Sequence, residues 1–342
     1  MGDKSKIEWT DSTWNPIRGC SRVSEGCRNC YAERVAARFG GPGQPYEGLA
    51  KMTAIGPRWT GELRLIEAHI ADPIKWSRPR KIFVNSMSDL FHERMKDEWI
   101  DIIFNVMRAC PHHIFQILTK RTYRMMQYVY DLNPEDHRHI FLGFSAEDQQ
   151  TFDDRWSDAC NIAAQGWNVW LSAEPLLGPI DPYYATALTI SCANCGDGQG
   201  WIGERCSCGN GVYTEQPTLC WIVAGGESGP GARPMHPQWA RKLRDDCVAN
   251  GIPFLFKQWG EFKPINQMDE AEADSMYKPV PEGWPSDTTR RPRYESTVVL
   301  PDGTTGSDYP HGAMLTFRVG KKAAGRLLDG REWSEFPNVE IT

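Results

Sequence analysis

The chain predicts an α/β fold with parallel strands, and three features of the sequence carry that expectation. Short runs rich in β-branched and aromatic residues recur at 81–85, 114–118, 140–144, 169–172, 220–224 and 253–256, with a shorter one ahead of Cys20. They are almost continuously apolar, as parallel strands covered on both faces are. Helical periodicity alternates with them, which is the order of β/α crossovers. Each run also ends in polar residues, and in such folds the loops at the carboxyl ends of the strands carry the functional groups. At 342 residues the chain can bury a sizeable core, and one barrel-like domain with insertions fits the length as well as two domains do.

Taken in order, the short first strand leads into a glycine-punctuated loop, Gly19-Cys20-Ser21-Arg22-Val23-Ser24-Glu25-Gly26-Cys27-Arg28-Asn29-Cys30. A helix follows, with Ala32, Val35, Ala36 and Phe39 at i, i+3, i+4 and i+7. Run 81–85 ends in Asn85-Ser86-Met87-Ser88-Asp89. The next helix starts near Asp97 and puts Trp99, Ile102, Ile103, Val106, Met107 and Cys110 on one face. The following runs end in Thr119-Lys120-Arg121, Ser145-Ala146-Glu147-Asp148, Ser172-Ala173-Glu174-Pro175, Gly225-Gly226-Glu227-Ser228-Gly229 and Lys257-Gln258-Trp259-Gly260. Pro237 suits the first turn of a helix that carries Trp239, Leu243 and Cys247 at four-residue intervals. Any one polar loop is explained equally well by the general polarity of turns, but six together point to a shared cavity. Residues 266–310, rich in Pro, Asp, Glu and Ser, read as an irregular excursion. The expected organisation is a domain over 1–265 with an insertion at 182–219, then an extension over 266–342 ending in a helix.

Net charge is −6, which argues against a surface that grips duplex DNA mainly by counterion release. Local basic sets remain at Arg78, Arg80 and Lys81, at Lys120, Arg121 and Arg124, and at Arg290, Arg291 and Arg293, although charge runs are usually solvated faces. The N-terminus lacks the apolar core of a signal peptide, and no apolar run approaches the ~20 residues of a membrane span. A cytoplasmic protein without a membrane partner is expected, and in a reducing compartment clustered cysteines hold metals more often than disulfides.

Of the 11 cysteines, two groups stand out. Cys20, Cys27 and Cys30 form C-x6-C-x2-C. Three thiolates suit a [4Fe–4S] cluster with one iron left for a small molecule, while the spacing alone also admits zinc or unligated thiols. The pairs Cys192/Cys195 and Cys206/Cys208 lie in a Gly-rich stretch and supply the four thiolates of a structural zinc, with an iron–sulfur cluster or free thiols as alternatives. Cys110, Cys220 and Cys247 read as small buried hydrophobes and Cys160 is ambiguous. His112/His113 and His137/His139 flank strand starts, away from the presumed active end, and His92 reads as a surface residue.

The cysteine loop resembles that of radical S-adenosylmethionine (SAM) enzymes, although the usual spacing there is C-x3-C-x2-C. The wording Asn15-Pro16-x-x-Gly19-Cys20…Cys27-x-x-Cys30-Tyr31-Ala32 is distantly similar to the spore photoproduct lyase-type branch. A closer resemblance joins residues 83–92, Leu118-Thr119-Lys120-Arg121, residues 174–180, residues 225–235, residues 256–260 and the tail at 324–330. Together they look like a phage and prophage family of unknown function that is grouped with radical SAM proteins. The resemblance covers most of Trp9–Gly260, includes C-x6-C-x2-C, and does not reliably extend over the second cysteine group. It implies a partial parallel (β/α) barrel of radical SAM type, here with an inserted zinc-knuckle segment and an irregular C-terminal extension.

The same resemblance implies a [4Fe–4S] cluster on Cys20, Cys27 and Cys30, SAM as cofactor, and an external electron donor of flavodoxin or ferredoxin type. From their positions at strand ends, Ser86, Asp89, Lys120, Ser145, Glu147 and Glu174 are the expected partners of SAM. Glu227, Ser228, Arg233 and Lys257 are the expected substrate-side residues. Some family members are implied to modify thymine in phage DNA, so the expected substrate is DNA or a modified thymidine nucleotide in a phage-infected bacterial cell. The expected reaction is an isomerisation that moves an amino-acid substituent on the thymine methyl from nitrogen to carbon linkage. The alternatives are a lyase acting on a thymine photoproduct and a non-catalytic zinc-containing nucleic-acid binding protein.

Overall fold

The structure, a computed structural model, describes residues 5–182, 188–192, 205, 213–217, 219–282 and 288–338. Seven parallel strands lie side by side in the order in which the chain makes them: β1 (Ser12–Trp14), β2 (Lys81–Val84), β3 (Ile114–Thr119), β4 (Ile140–Ser145), β5 (Asn168–Ala173), β6 (Trp221–Gly225) and β7 (Phe254–Gln258). All six runs expected from periodicity are strands of this sheet, with ends moved by a residue or two. The pairing is parallel throughout. A sheet wound in one direction, each strand beside its predecessor, curls into a partial β/α barrel.

Alternation of side chains explains why these strands are apolar on both faces. Ile82, Val84, Phe115, Ile117, Leu142, Leu171, Ile222 and Phe256 face a large outer core, where they meet the helices. Phe83, Phe141, Trp170, Trp221, Val223 and Leu255 point the other way and close around Trp9 in a separate inner core. Gly143 makes room there, because a Cβ on it would stand 2.3 Å from the Trp170 indole.

Helices α1 (Tyr31–Arg38), α2 (Asp97–Arg108), α3 (Thr122–Val129), α4 (Gln149–Ala164) and α5 (Pro237–Asn250) run in the crossovers. In α5 the buried set includes Trp239, Leu243 and Cys247, as the four-residue spacing required. In α2 the buried face is rotated from the expected one: Ile100 and Phe104 are buried, whereas Trp99 and Ile102 are half-buried. In α1, Ala32 and Ala36 are buried but Val35 and Phe39 are exposed, so half of the predicted stripe is not core. Asp148 caps α4 in a capping box with Thr151.

The crossover from β5 to β6 carries an antiparallel hairpin, Leu188–Cys192 against Tyr213–Pro217. The side chain of Cys192, and Cys195, Cys206 and Cys208 altogether, lie outside the described residues. The 266–342 extension is not irregular. Strands β8 (Phe262–Pro264), β9 (Ser296–Val299), β10 (Thr305–Gly306) and β11 (Met314–Arg318) form an antiparallel sheet in the order β8-β11-β9-β10. The strands are two to five residues long, so their alternation is too brief to stand out in the sequence. The expected C-terminal helix is a single turn, Lys321–Ala324, and the chain then returns to the barrel. Trp333 and Glu335 bond the backbone of Phe256 and Phe254, covering the β7 edge, and Phe336 packs on the inner core. Among the described residues, no helix is long and apolar enough to cross a membrane.

Candidate active site at the barrel mouth

The cysteine loop leaves the carboxyl end of β1 and crosses the polar end of the barrel before α1 begins. Gly19, at φ +101°, makes the entry possible, because a Cβ there would lie 2.0 Å from the Glu62 carbonyl oxygen. Cys27 closes a short helical turn (Glu25–Cys27), and Cys30 occupies the N-cap position of α1.

Four strand-end loops hold this segment down. Ser21 Oγ meets Glu93 Oε1 at 2.9 Å, His92 Nε2 at 2.9 Å and Arg121 Nη2 at 2.7 Å. Ser24 Oγ donates to Glu147 Oε1 at 3.0 Å. Asn29 Nδ2 donates to Glu227 Oε2 at 3.0 Å, and Arg233 Nη2 to the Glu25 carbonyl at 3.0 Å. The Tyr31 hydroxyl donates to the Ser86 carbonyl at 2.6 Å. A Cβ at Gly26 would stand 2.2 Å from Glu147 Oε1, so the loop backbone rests directly on that carboxylate.

Each acid in the mouth has a basic partner. Asp89 accepts from Arg121 Nη1 at 2.8 Å and from Thr119 Oγ1 at 2.7 Å. Glu147, buried, bonds Lys120 and, at 3.1 Å, Arg155 of α4. Burial opposes ionisation of Glu147, but Lys120 and Arg155 outweigh it and hold its pKa at about 2. Burial likewise opposes charge on Glu227, and the Arg233 guanidinium at 2.7 and 2.9 Å pulls its pKa below the ordinary value. Lys257 Nζ sits 2.7 and 2.8 Å from the two Glu174 oxygens. Glu174 and Lys257 come from β5 and β7 and meet over Gly225 of the strand between, where a Cβ would stand 3.3 Å from that of Lys257.

The expected site residues therefore separate into two kinds. Lys120, Glu174 and Lys257 keep part of their surface at the mouth, at 17, 19 and 14 %. Asp89, Glu147, Glu227 and Arg233 spend their charge largely on the cysteine loop and its supports. Ser145 is buried and its carbonyl accepts from Arg155, Ser86 Oγ donates to Asn15, and Ser228 is half-buried beside Glu227. Glu174, expected with SAM, is joined to the substrate-side candidate Lys257.

The structure adds participants beyond the expected site residues. Arg155 belongs to a helix face and reaches the mouth only because α4 packs on β4. His92 is wholly buried against Ser21 and not a surface residue, although its place after β2 was legible. Asn85 ends β2 with φ +59°, is buried, and neither amide atom has a hydrogen-bond partner. The other histidines serve the scaffold: His113 and His139 bond the carbonyls of Pro73 and Met107.

Burial raises the thiol pKa of Cys20, and the neighbouring Asp89, Cys30 and Cys27 raise it further, against Arg121. Burial also raises Cys30, with Cys27 adding to it, while backbone N–H groups of the α1 N-terminus oppose the rise. The three thiols thus share one electrostatic neighbourhood. Among the described residues no group of three or more His, Cys, Asp or Glu converges as the ligands of a single ion do. A cubane cluster has a different requirement, since its thiolates bind separate irons and stand apart. Three thiols on one anchored loop are the number of protein ligands that a [4Fe–4S] cluster with one open iron would take.

Comparison with known proteins found no match among curated proteins and none among solved structures. A family model described as a protein of unknown function (DUF5131) matches residues 4–337. The chain, from ahead of its first strand to the tail that closes the sheet edge, belongs to the DUF5131 family.

Proposed function

We propose that the chain is a radical SAM enzyme that rearranges an amino-acid substituent on thymine in phage DNA. The observation that carries this reading is the seating of Cys20, Cys27 and Cys30 on one clamped loop over the polar carboxyl end of a singly wound parallel sheet. Those three residues would hold a [4Fe–4S] cluster. With SAM bound and an electron from an external flavodoxin- or ferredoxin-type donor, such a cluster would supply radical chemistry that begins by removing a hydrogen atom from a C–H bond.

The chain's own residues have three tasks in this scheme. The clamp of Ser21, Ser24 and Asn29 on four strand ends fixes the loop, so that a C–H held in the mouth keeps its place. The ion pairs of Asp89, Glu147 and Glu227 close the rim, and the aromatic floor below them keeps water out of the barrel. The Glu174–Lys257 pair matches a zwitterion, since the carboxylate of an amino-acid substituent would take Lys257 and its ammonium Glu174. Lys120, which keeps part of its surface beside its bond to Glu147, would take an anionic group of the cofactor. A structural zinc on Cys192, Cys195, Cys206 and Cys208 is a separate part of the proposal, tested by zinc content in wild type and in Cys195→Ser.

The experiment is release of 5′-deoxyadenosine by protein reconstituted anaerobically with iron, sulfide and a reductant. Release that depends on DNA bearing the modified thymine, and that disappears in Cys30→Ala, is the expected result. An intact cluster that yields neither 5′-deoxyadenosine nor, from DNA deuterated at the thymine substituent, deuterium in SAM overturns the proposal. Turnover of irradiated DNA instead would select the photoproduct lyase.

A further inference from the structure

A β-hairpin that the radical chemistry does not use stands beside the cysteine loop. Ala50–Thr53 pairs antiparallel with Gly56–Trp59 around a two-residue turn at 54–55. Its tip is apolar and in water: Ile55, at 78 %, is the most exposed large hydrophobic side chain of the described residues, and Met52 is 69 % exposed. Its flanks are basic. Lys51 and Arg58 are directly opposite each other in the register, on the same face of the ribbon. Like charges in that position destabilise a hairpin unless an anion lies between them, and among the described residues neither has an acidic partner. Among the described residues the Arg58 guanidinium bonds only the Pro57 carbonyl, at 2.7 Å.

The hairpin is held rigidly to the cysteine loop. Glu33 of α1, buried, accepts from the Trp59 backbone N–H at 2.8 Å and from Arg22 Nε of the loop at 3.0 and 3.1 Å. One carboxylate therefore fixes the hairpin base, the helix and the loop to each other. Between hairpin and loop lies a cleft of about 400 Å³ whose lining includes Arg22, Arg28 and Arg58, with Glu25 as its one acid. Arg28 is mostly exposed and reaches Glu25 only at 3.8 Å. Ser24, in the same lining, is the residue that bonds Glu147 inside the mouth, so the cleft borders the barrel opening.

We propose that this hairpin and cleft are the docking element for duplex DNA. Lys51, Arg58 and Arg28 hold backbone phosphates, while Met52 and Ile55 press into the base stack next to the barrel mouth. Apolar side chains flanked by cations are the means by which proteins unstack a duplex step, and a base must leave the stack before it can enter a pocket. The net charge of −6 agrees with a local grip and not a generally basic surface. The inference deepens the proposed function, from which it takes DNA as the substrate.

The test uses the full chain and a fluorescein-labelled DNA duplex carrying one 2-aminopurine. Anisotropy reads binding and 2-aminopurine fluorescence reads unstacking. Wild type is expected to bind with salt-dependent affinity and to raise the 2-aminopurine signal. Lys51→Glu with Arg58→Glu is expected to weaken binding at least about tenfold, and Lys51→Arg with Arg58→Lys to bind as wild type. Lys51→Glu alone, which places a carboxylate opposite Arg58, is expected to weaken binding in the same direction without lowering the melting temperature. Met52→Ser with Ile55→Ser is expected to keep affinity within about threefold and to lose the fluorescence rise. Absence of duplex binding by wild type, charge-reversed protein that binds unchanged, or a serine variant that still unstacks the probe overturns the inference. Hairpin-dependent binding without 5′-deoxyadenosine formation supports the docking element and removes the radical reading. Hairpin-independent binding with 5′-deoxyadenosine formation from a modified nucleoside removes the docking element and leaves the radical reading in place.

Discussion

The two ends of the parallel sheet are built from the same strands by opposite means. At the amino end the inward positions are Phe83, Phe141, Trp170, Trp221 and Leu255, packed around Trp9. Trp9 and Trp170 meet edge to face at 5.3 Å, and Trp170 and Trp221 lie tilted at 34° with centroids 5.0 Å apart. A few residues further along those strands, the inner face carries Asn85, Lys120, Glu147, Glu174 and Lys257, and every charge among them is paired. The floor holds its shape by dispersion and burial, which neither salt nor pH alters much. The mouth holds its shape by charges whose desolvation is costly and is offset only while each partner stays in place. Buried ion pairs gathered at one end of a barrel are where the proposed function puts its chemistry.

The comparison breaks first at the floor. Trp170→Ala should cost about 3–5 kcal/mol, because the cavity left beside Gly143 and Trp221 cannot collapse between two sheet faces. Denaturant melts read the loss, and a cost that changed between low and high salt would mean the floor is not purely apolar. At the mouth, Glu147→Gln should cost about 3 kcal/mol, since it leaves Lys120 and Arg155 in place without their buried carboxylate. On the proposed function, iron binding by the Cys20–Cys30 loop should weaken with it, which iron content after reconstitution measures.

A smaller effect sharpens the packing side. Gly143→Ala adds one methyl against the Trp170 indole and should cost about 1–3 kcal/mol, seen as a lower melting temperature with unchanged near-ultraviolet spectrum elsewhere. The smallest separates burial from charge as such. Asp329 receives Arg241 at 2.6 Å and Arg244 at 2.7 Å on the surface, and the Arg241 bond holds its carboxyl below the ordinary 3.8. Asp329→Asn should cost under about 1 kcal/mol, because solvent screens the pair. A depressed carboxyl contributes its full share above the unfolded value and loses it as pH falls through the folded one. The difference between wild type and Asp329→Asn should therefore be constant above pH 3.8 and shrink below it, in acid titrations of stability.

How far the site was legible follows from the range of the signals. The six strand runs are recognisable because a strand covered on both faces needs no partner information to look apolar. Their polar ends are recognisable for the same reason, so Lys120, Glu147, Glu174 and Lys257 could be named before any geometry. Which of them pair could not. Glu174 meets Lys257 from a strand two places away, and Arg155 reaches Glu147 from the outer helix layer. The 50–59 hairpin escaped notice since four-residue strands around a two-residue turn leave too short an alternation, and the antiparallel extension escaped for the same reason.

The sequence by itself determined a parallel α/β sheet, the polar end of each strand, and three thiols on one loop, all of them properties of neighbours along the chain. The tertiary structure decided that the sheet winds in one direction and that the loop is clamped over its mouth. It also decided that the mouth's charges are divided between holding the loop and facing the cavity. Those outcomes rest on contacts between residues tens to hundreds of positions apart, whose geometry depends on how the layers pack, and local periodicity carries no record of that.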